Sequence, residues 1–327
     1  MDRTDLLILA MLSQNSLIAY REMATSLKVS VPAIHRRVQV LHDKGILGRY
    51  QARIPMSCLG ATSVHFVGRS SDSSVDRVMT DLSKNDSVRS LLITSGNMLF
   101  IHAELRSLDA LDQFSEFAKG TSKIGDPRIG IDPTGEDKAG GEELTPLDLR
   151  IIRSMHNDAR KSTVDIADEL GISARTVMSH LDKMIDDRLI ELSTEVDPTY
   201  SEDTSTILRM FLKEGTDKRR FQATILQKHF PQVLYCQSFV NIPDFTICAT
   251  ITKTPKDLKR LLEQIQSEEG LRSMESNIAI TGRYLDTWRD KLVDKCDKDG
   301  AQEIASMLSK KRLARRRSVP HFSALLT

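Results

Sequence analysis

The chain has no long apolar run, few cysteines and almost no net charge, and each lack removes a class of protein. The opening stretch MDRTDLLILAMLSQ carries an acid at its second position, and its apolar run stops at Ser13. That is too short for a signal peptide or a membrane span, and no later stretch is long enough either. Four scattered cysteines (Cys58, Cys236, Cys248, Cys296) show no C-x-x-C spacing. They predict buried free thiols in a reducing cytoplasm rather than a disulfide frame or a zinc site. Cys236 and Cys248 are equidistant from Ile242 and could face each other across a hairpin, with two thiols as the expected state. With a net charge of +1, any nucleic-acid surface must be local. No nucleophile–base pair, metal cluster or phosphate loop is visible, so neither catalysis nor a cofactor is expected.

What the sequence does contain is a repeat. At an offset of 143, Asp5-Leu6 falls on Asp148-Leu149, Ala24 on Ala167, Leu27 on Leu170 and Ser30 on Ser173. Apolar positions follow: Ile34 on Val177, Val38 on Leu181, Leu41 on Met184 and Ile46 on Leu189. A chance match would not preserve the buried positions of three successive helices, so the unit is duplicated. The Gly- and Glu-rich stretch 133–144 reads as the linker between copies.

Each copy opens with helices over roughly 3–14 and 21–27 and a third that starts at Ser30 as N-cap, with Pro32 in its first turn. Gly45 ends the third helix, and ILGRYQARI follows as a wing. Next come a strand at 63–69, a helix at 74–84, two strands around Gly96-Asn97, a helix near 107–118 and a strand at 128–132. That βαββαβ order is the ferredoxin-like split unit, and the second copy repeats it. The expected fold is α+β. Winged helix-turn-helix domains (1–56, 145–198) alternate with ferredoxin-like effector or oligomerisation domains (57–132, 199–285), and a basic helical tail (286–327) follows.

The third helix is unusually basic. With Ile34 on the buried side, helical geometry brings Val38 and Leu41 beside it and turns Pro32, Arg36, Gln39 and Asp43 outward. His35 sits at the edge of the outer face. Arg37 lies on the flank, placed for a phosphate or an intramolecular carboxylate rather than a base. Such a helix enters the major groove, where arginine reads guanine and glutamine reads adenine. Lys44, Arg49 and Arg53 extend the footprint where a wing would meet the backbone. Residues 1–54 hold eight Lys/Arg against four acids, whereas 145–197 hold seven against eleven. The first head is therefore the expected DNA reader. In the tail, Lys310, Lys311, Arg312, Arg315, Arg316 and Arg317 predict further phosphate contacts.

The stretch SVPAIHRRVQVLHDKGILGRYQARI resembles the Lrp/AsnC (feast-or-famine) family of bacterial and archaeal transcription regulators. The resemblance covers both copies, roughly residues 1–285, and implies a tandem fusion. It also implies pairing sheet to sheet, either between the two halves of one chain as a pseudo-dimer or across chains; a homodimer or higher homo-oligomer is expected, with a small-molecule effector such as an amino acid between subunits. The effector hairpins would be Thr94, Gly96 and Asn97 in the first copy and Asp244 in the second, though neither completes the family's Gly-plus-acid pattern. Two other readings stand beside the regulator. One is a nucleoid-associated protein that coats DNA with little sequence preference. The other is an enzyme like the siroheme decarboxylases, which resemble the same family but carry a His- and Arg-rich tract at this hairpin. Here His102 is the only histidine of that region.

Overall fold

The computed structural model describes residues 1–133 and 143–318, with side chains to 311. The proposed linker therefore lies largely outside the described residues. In the first head, α1 (Arg3–Gln14) starts at a capping box between Asp2 and Asp5, and α2 (Tyr20–Leu27) leads to α3 (Val31–Asp43). Ser30 caps α3 by accepting a hydrogen bond from the Ala33 N–H, and Ile34, Val38 and Leu41 are its buried seam. After the turn at Gly45 (φ +74°) the chain forms one strand, β1 (Leu47–Arg53).

A short helix, α4 (Met56–Leu59), precedes the first ferredoxin-like unit: β2 (Thr62–Arg69), α5 (Val75–Leu82), β3 (Val88–Thr94), β4 (Met98–Leu105), α6 (Leu111–Ser122) and β5 (Arg128–Ile131). The second head follows as α7 (Pro146–Ser154), α8 (Thr163–Leu170), α9 (Ala174–Asp186) and β6 (Glu191–Val196). Its ferredoxin-like unit is β7 (Thr204–Leu212), α10 (Lys218–His229), β8 (Val233–Ser238), β9 (Phe245–Thr252), α11 (Pro255–Gln266) and β10 (Leu271–Tyr284). Two more helices, α12 (Trp288–Asp294) and α13 (Gly300–Ser318), follow.

The halves are joined at two levels. β1 and β6 pair antiparallel, Arg53 opposite Glu191, so the expected wing is not a free hairpin but a strand spent on the other head. The two heads and helices α12 and α13 share one apolar core that includes Ile8, Ile34, Ile151, Val177, Trp288 and Ile304. Below them, β10 pairs with β7 through its first part and with β3 through its last part. The result is one eight-stranded sheet, β5-β2-β4-β3-β10-β7-β9-β8.

The sheet faces that carry no helices meet. Val67 and Met98 of the first unit pack against Ile207, Phe245 and Ile247 of the second. Phe239 presses so close to β5 that a Cβ on Gly130 would stand 2.3 Å from its ring. Glycine is required there by close approach. The sheet-to-sheet pairing expected between two chains is thus made within one chain, because its halves already supply both apolar faces. Two of the cysteines also depart from the expected thiol state. Cys236 and Cys248 lie directly opposite in the β8–β9 register and are bonded as a disulfide, while Cys58 and Cys296 belong to no disulfide. Among the described residues no helix is long and apolar enough to cross a membrane.

Candidate nucleic-acid interface

On α3 of the first head, Pro32, His35, Arg36 and Gln39 are exposed. His35 stands edge-on to the Tyr20 ring, 4.4 Å between centroids. Gln39 Nε2 donates to the Asp43 carboxylate at 2.8 Å, a surface pair one helical turn apart. Arg36 and Lys44 have no ion-pair partner among the described residues, and with Val40 they line one side of a groove whose other side is Ser201 and Glu202. Arg37 takes the second of its two expected roles. Its guanidinium holds Asp5 at 2.6 Å and Asp2 at 2.8 Å, and the Asp5 hydrogen bond raises its pKa. It fastens α3 to the start of α1. Ser30 likewise acts through its cap, setting where α3 begins.

Arg49 and Arg53 do not form a wing surface. Arg49 pairs with Asp286 at 2.7 Å and Glu195 at 3.2 Å. Arg53 is 3% exposed and makes a two-pronged contact with Glu104, 2.7 Å at each oxygen, plus bonds to Asp290 at 2.9 and 2.8 Å. Burial alone would lower its pKa, but Glu104 and Asp290 outweigh burial and raise it. Arg289 completes the cluster, holding Glu104 at 2.9 Å and donating to the Ile54 carbonyl. Burial opposes ionisation of Glu104, yet Arg289 and Arg53 keep it well below the carboxylate range. The sequence could not show this, because two of the acids lie 51 and 237 residues from Arg53. The cluster ties the first head to its sheet and to α12.

The second head keeps the scaffold with a different set of charges, including exposed Lys183 on α9 where the first head has Val40. On α9, Arg175, Met178, Ser179, Asp182 and Ile185 are exposed. His180 bonds Asp148 at 2.6 Å, the repeat's counterpart of Arg37 on Asp5. Helix α13 packs beside α7 and carries exposed Lys310 and Lys311. The side chains of Arg312, Arg315, Arg316 and Arg317 fall outside the described residues.

Both effector hairpins are occupied by contacts between the halves. Thr94 is buried and donates to the Met98 carbonyl, while Gly96 and Asn97 take positive φ in the turn. Ser95 beside them accepts from the Ile278 N–H and the Asn277 amide of β10. In the other hairpin, Asn241 accepts from the Ile131 N–H and donates to the Ile129 carbonyl on one edge of β5, and Asp244 pairs with Arg272 at 3.3 Å.

Between the two halves of the eight-stranded sheet lies a cavity of about 410 Å³ lined by residues of both, among them His65, His102, Asp132, Ile207 and Gln237. His102 is therefore not alone. His65 sits opposite it in the β2–β4 register, with rings parallel to within 5° and 4.5 Å apart. Burial first, then the neighbouring His65, push the His102 pKa down to about 3, so its ring is neutral at pH 7. The signal that could have found His65 was the alternation in SVHFVGR, which puts Ser63 and His65 on one face.

Comparison with known proteins follows the same lines. The winged helix-turn-helix DNA-binding family matches residues 1–47 and 144–191, one match in each head. The HTH-type transcriptional regulator LrpA of Pyrococcus horikoshii is 31% identical over 101 residues, 31% of this chain and 72% of that protein. The chain belongs to the Lrp/AsnC family. The HTH-type transcriptional regulator Ptr1 of Methanocaldococcus jannaschii is 30% identical over 116 residues, 35% of this chain and 78% of that protein. Over almost the whole length, the crystal structure of the siroheme decarboxylase NirDL shares the fold, at a TM-score of 0.55 and 11% identity, covering 94% of this Lrp/AsnC-family chain and 99% of that one.

Proposed function

We propose that this chain regulates transcription by binding double-stranded DNA, and that the first winged helix-turn-helix does the reading. The observation that carries the reading is Arg36, exposed on the outward face of α3 with no ion-pair partner among the described residues. A guanidinium so placed can bond guanine O6 and N7 together. Gln39 is the second base reader once it leaves Asp43, and Pro32 and His35 border the same face. Lys44 supplies a phosphate contact near the C-terminal end of α3, and Lys310 and Lys311 supply others from α13. Arg49 and Arg53 are withdrawn from the DNA surface, since buried or paired cations release few counterions. Family membership and the names of LrpA and Ptr1 support a regulator over a coating protein or an enzyme.

The second head offers Asp182 where the first offers Gln39, so one chain presents a single basic reader. A palindromic site would then need a second chain, joined through surfaces other than the sheet faces already paired within the first. The deciding test is footprinting at rising salt. A discrete site that survives supports the regulator, and uniform loss supports a coating protein.

A further inference from the structure

Three side chains in the cavity converge on one point. His65 Nε2 is 3.2 Å from Asp132 Oδ2, His102 Nε2 is 2.8 Å from Ser63 Oγ, and Ser63 Oγ donates to that same Asp132 oxygen at 2.5 Å. One ligand-capable atom from each of His65, His102 and Asp132 lies within 4.8 Å of the others. The second Asp132 oxygen accepts a hydrogen bond from Gln237 Nε2, 2.7 Å away and contributed by the other half of the chain.

The fold itself does not call for this cluster. Strand pairing puts His65 opposite His102 and Gly130, and in the second unit it puts Ile207 opposite Ala249 and Asn277. Counting two residues on from Gly130 and from Asn277, the counterpart of Asp132 is Ala279. The second unit therefore builds the same sheet with Ile207, Ala249 and Ala279, all of which line the same cavity. At these three matched positions the cavity wall is apolar on the second unit's side and carries two imidazoles and a carboxylate on the first's. Packing cannot explain the difference, because both sides pack.

We propose that His65, His102 and Asp132 form a binding site for a divalent transition-metal ion. Two imidazole nitrogens and one carboxylate suit zinc, cobalt, nickel or iron(II) rather than magnesium or calcium, which prefer oxygen shells. Metal–ligand bonds of about 2.0–2.2 Å set donor atoms roughly 3–3.5 Å apart, so small side-chain rotations would close the cluster around an ion. Gln237 supplies the outer-shell hydrogen bond that orients a ligating carboxylate. The cavity leaves room for water or a small ligand to complete the coordination. Sequence-local ligand spacing does not reveal this site, since its three residues come from three strands or strand ends.

The test uses full-length, tag-free protein treated with chelator, then titrated with Co²⁺ alone and separately with Zn²⁺ alone. Expected are one equivalent bound per chain, visible Co²⁺ d–d absorption and a rise in thermal midpoint that follows free metal concentration. His65→Ile, His102→Ala and Asp132→Ala import the residues of the other half. Each should lower affinity by more than tenfold while far-UV circular dichroism stays that of the wild type. If a core variant fails to fold, Gln237→Ala serves instead, with affinity expected to fall about tenfold through loss of carboxylate orientation. Absence of saturable binding by the wild type overturns the proposal. So does unchanged binding by a folded His65→Ile, which would place the metal elsewhere. Neither outcome bears on DNA binding, which is measured separately.

Discussion

Opposite the buried seam of α3 stands Arg36, and 143 residues later, opposite the matching seam of α9, stands Ser179. Three neighbouring positions lose positive charge or gain negative charge, His35 against Met178, Gln39 against Asp182 and Lys44 against Asp187, while Arg175 against Pro32 and Lys183 against Val40 run the other way. The seams do not diverge. Ile34, Val38 and Leu41 are matched by Val177, Leu181 and Met184, all buried. Even the tether survives, as Arg37 on Asp5 and His180 on Asp148. Both copies must still fold into one shared core, so packing positions are held in both. The outward positions are free of that demand, and their residues report what each head does.

The comparison breaks hardest at position 53, where the second copy has Val196. Arg53→Val would import that residue and leave Glu104 and Asp290 buried with less positive charge. Breaking a buried ion pair by removing one partner costs about 3–5 kcal/mol. Urea denaturation should show that loss, and a change below about 1 kcal/mol would mean the cluster is not a structural tie. The next largest effect belongs to the reading face. Arg36→Ala should weaken binding to the specific site by about 1–3 kcal/mol and leave random DNA less affected. Arg175→Ala, on the equivalent helix, should change affinity less than about twofold. Equal losses from the two variants, read by fluorescence anisotropy at one salt concentration, would restore two equal heads. Isolated heads are unsuitable for this test, because the two share their core.

How much of this was legible follows from the range of each signal. Helix seams, caps and the βαββαβ order are local, and they were readable from periodicity and turn residues, as at Ser30 and Ile34. The destination of Leu47–Arg53 was not, since a strand's partner is set by tertiary packing and here lies in the other copy. The same limit explains Arg53, whose acidic partners are far along the chain, and Cys236–Cys248, where spacing allowed the bond without requiring it. It also explains His65 and Asp132, which become neighbours only after β2, β4 and β5 align.

A smaller effect should appear in the pH dependence of stability. Burial would raise the Asp290 pKa, but Arg53 and the Thr287 backbone bond lower it. A carboxylate whose folded pKa lies below its unfolded value near about 3.9 contributes its full stabilisation above that value. The contribution is lost as pH falls through the folded pKa. Stability should therefore change little from this group between roughly pH 7 and 5 and fall below about pH 4, by at most about 1.4 kcal/mol per pH unit for one proton. Asp290→Asn should lower stability at neutral pH and flatten the acid limb. An acid limb of unchanged steepness in a folded variant would assign the proton uptake to other groups.

The smallest expected change is the sharpest check on the reading surface. Arg49 is partly exposed, at 38% of its side chain, so charge counting alone would make it as good a phosphate contact as Lys44. The structure gives it two carboxylates, Asp286 and Glu195. A cation already neutralised in place adds little when DNA approaches, because the carboxylate must first be released. Removing it also leaves Glu195 held by Arg89 at 3.1 Å, so the strand pair between heads should survive. Arg49→Ala should then change DNA affinity by less than about twofold and leave the dependence of log affinity on log salt unaltered. Lys44→Ala, by contrast, should lower that slope by about one. If Arg49→Ala lowers the slope as Lys44→Ala does, the β1 strand faces DNA after all, and the first head reads through a wing as well as through α3.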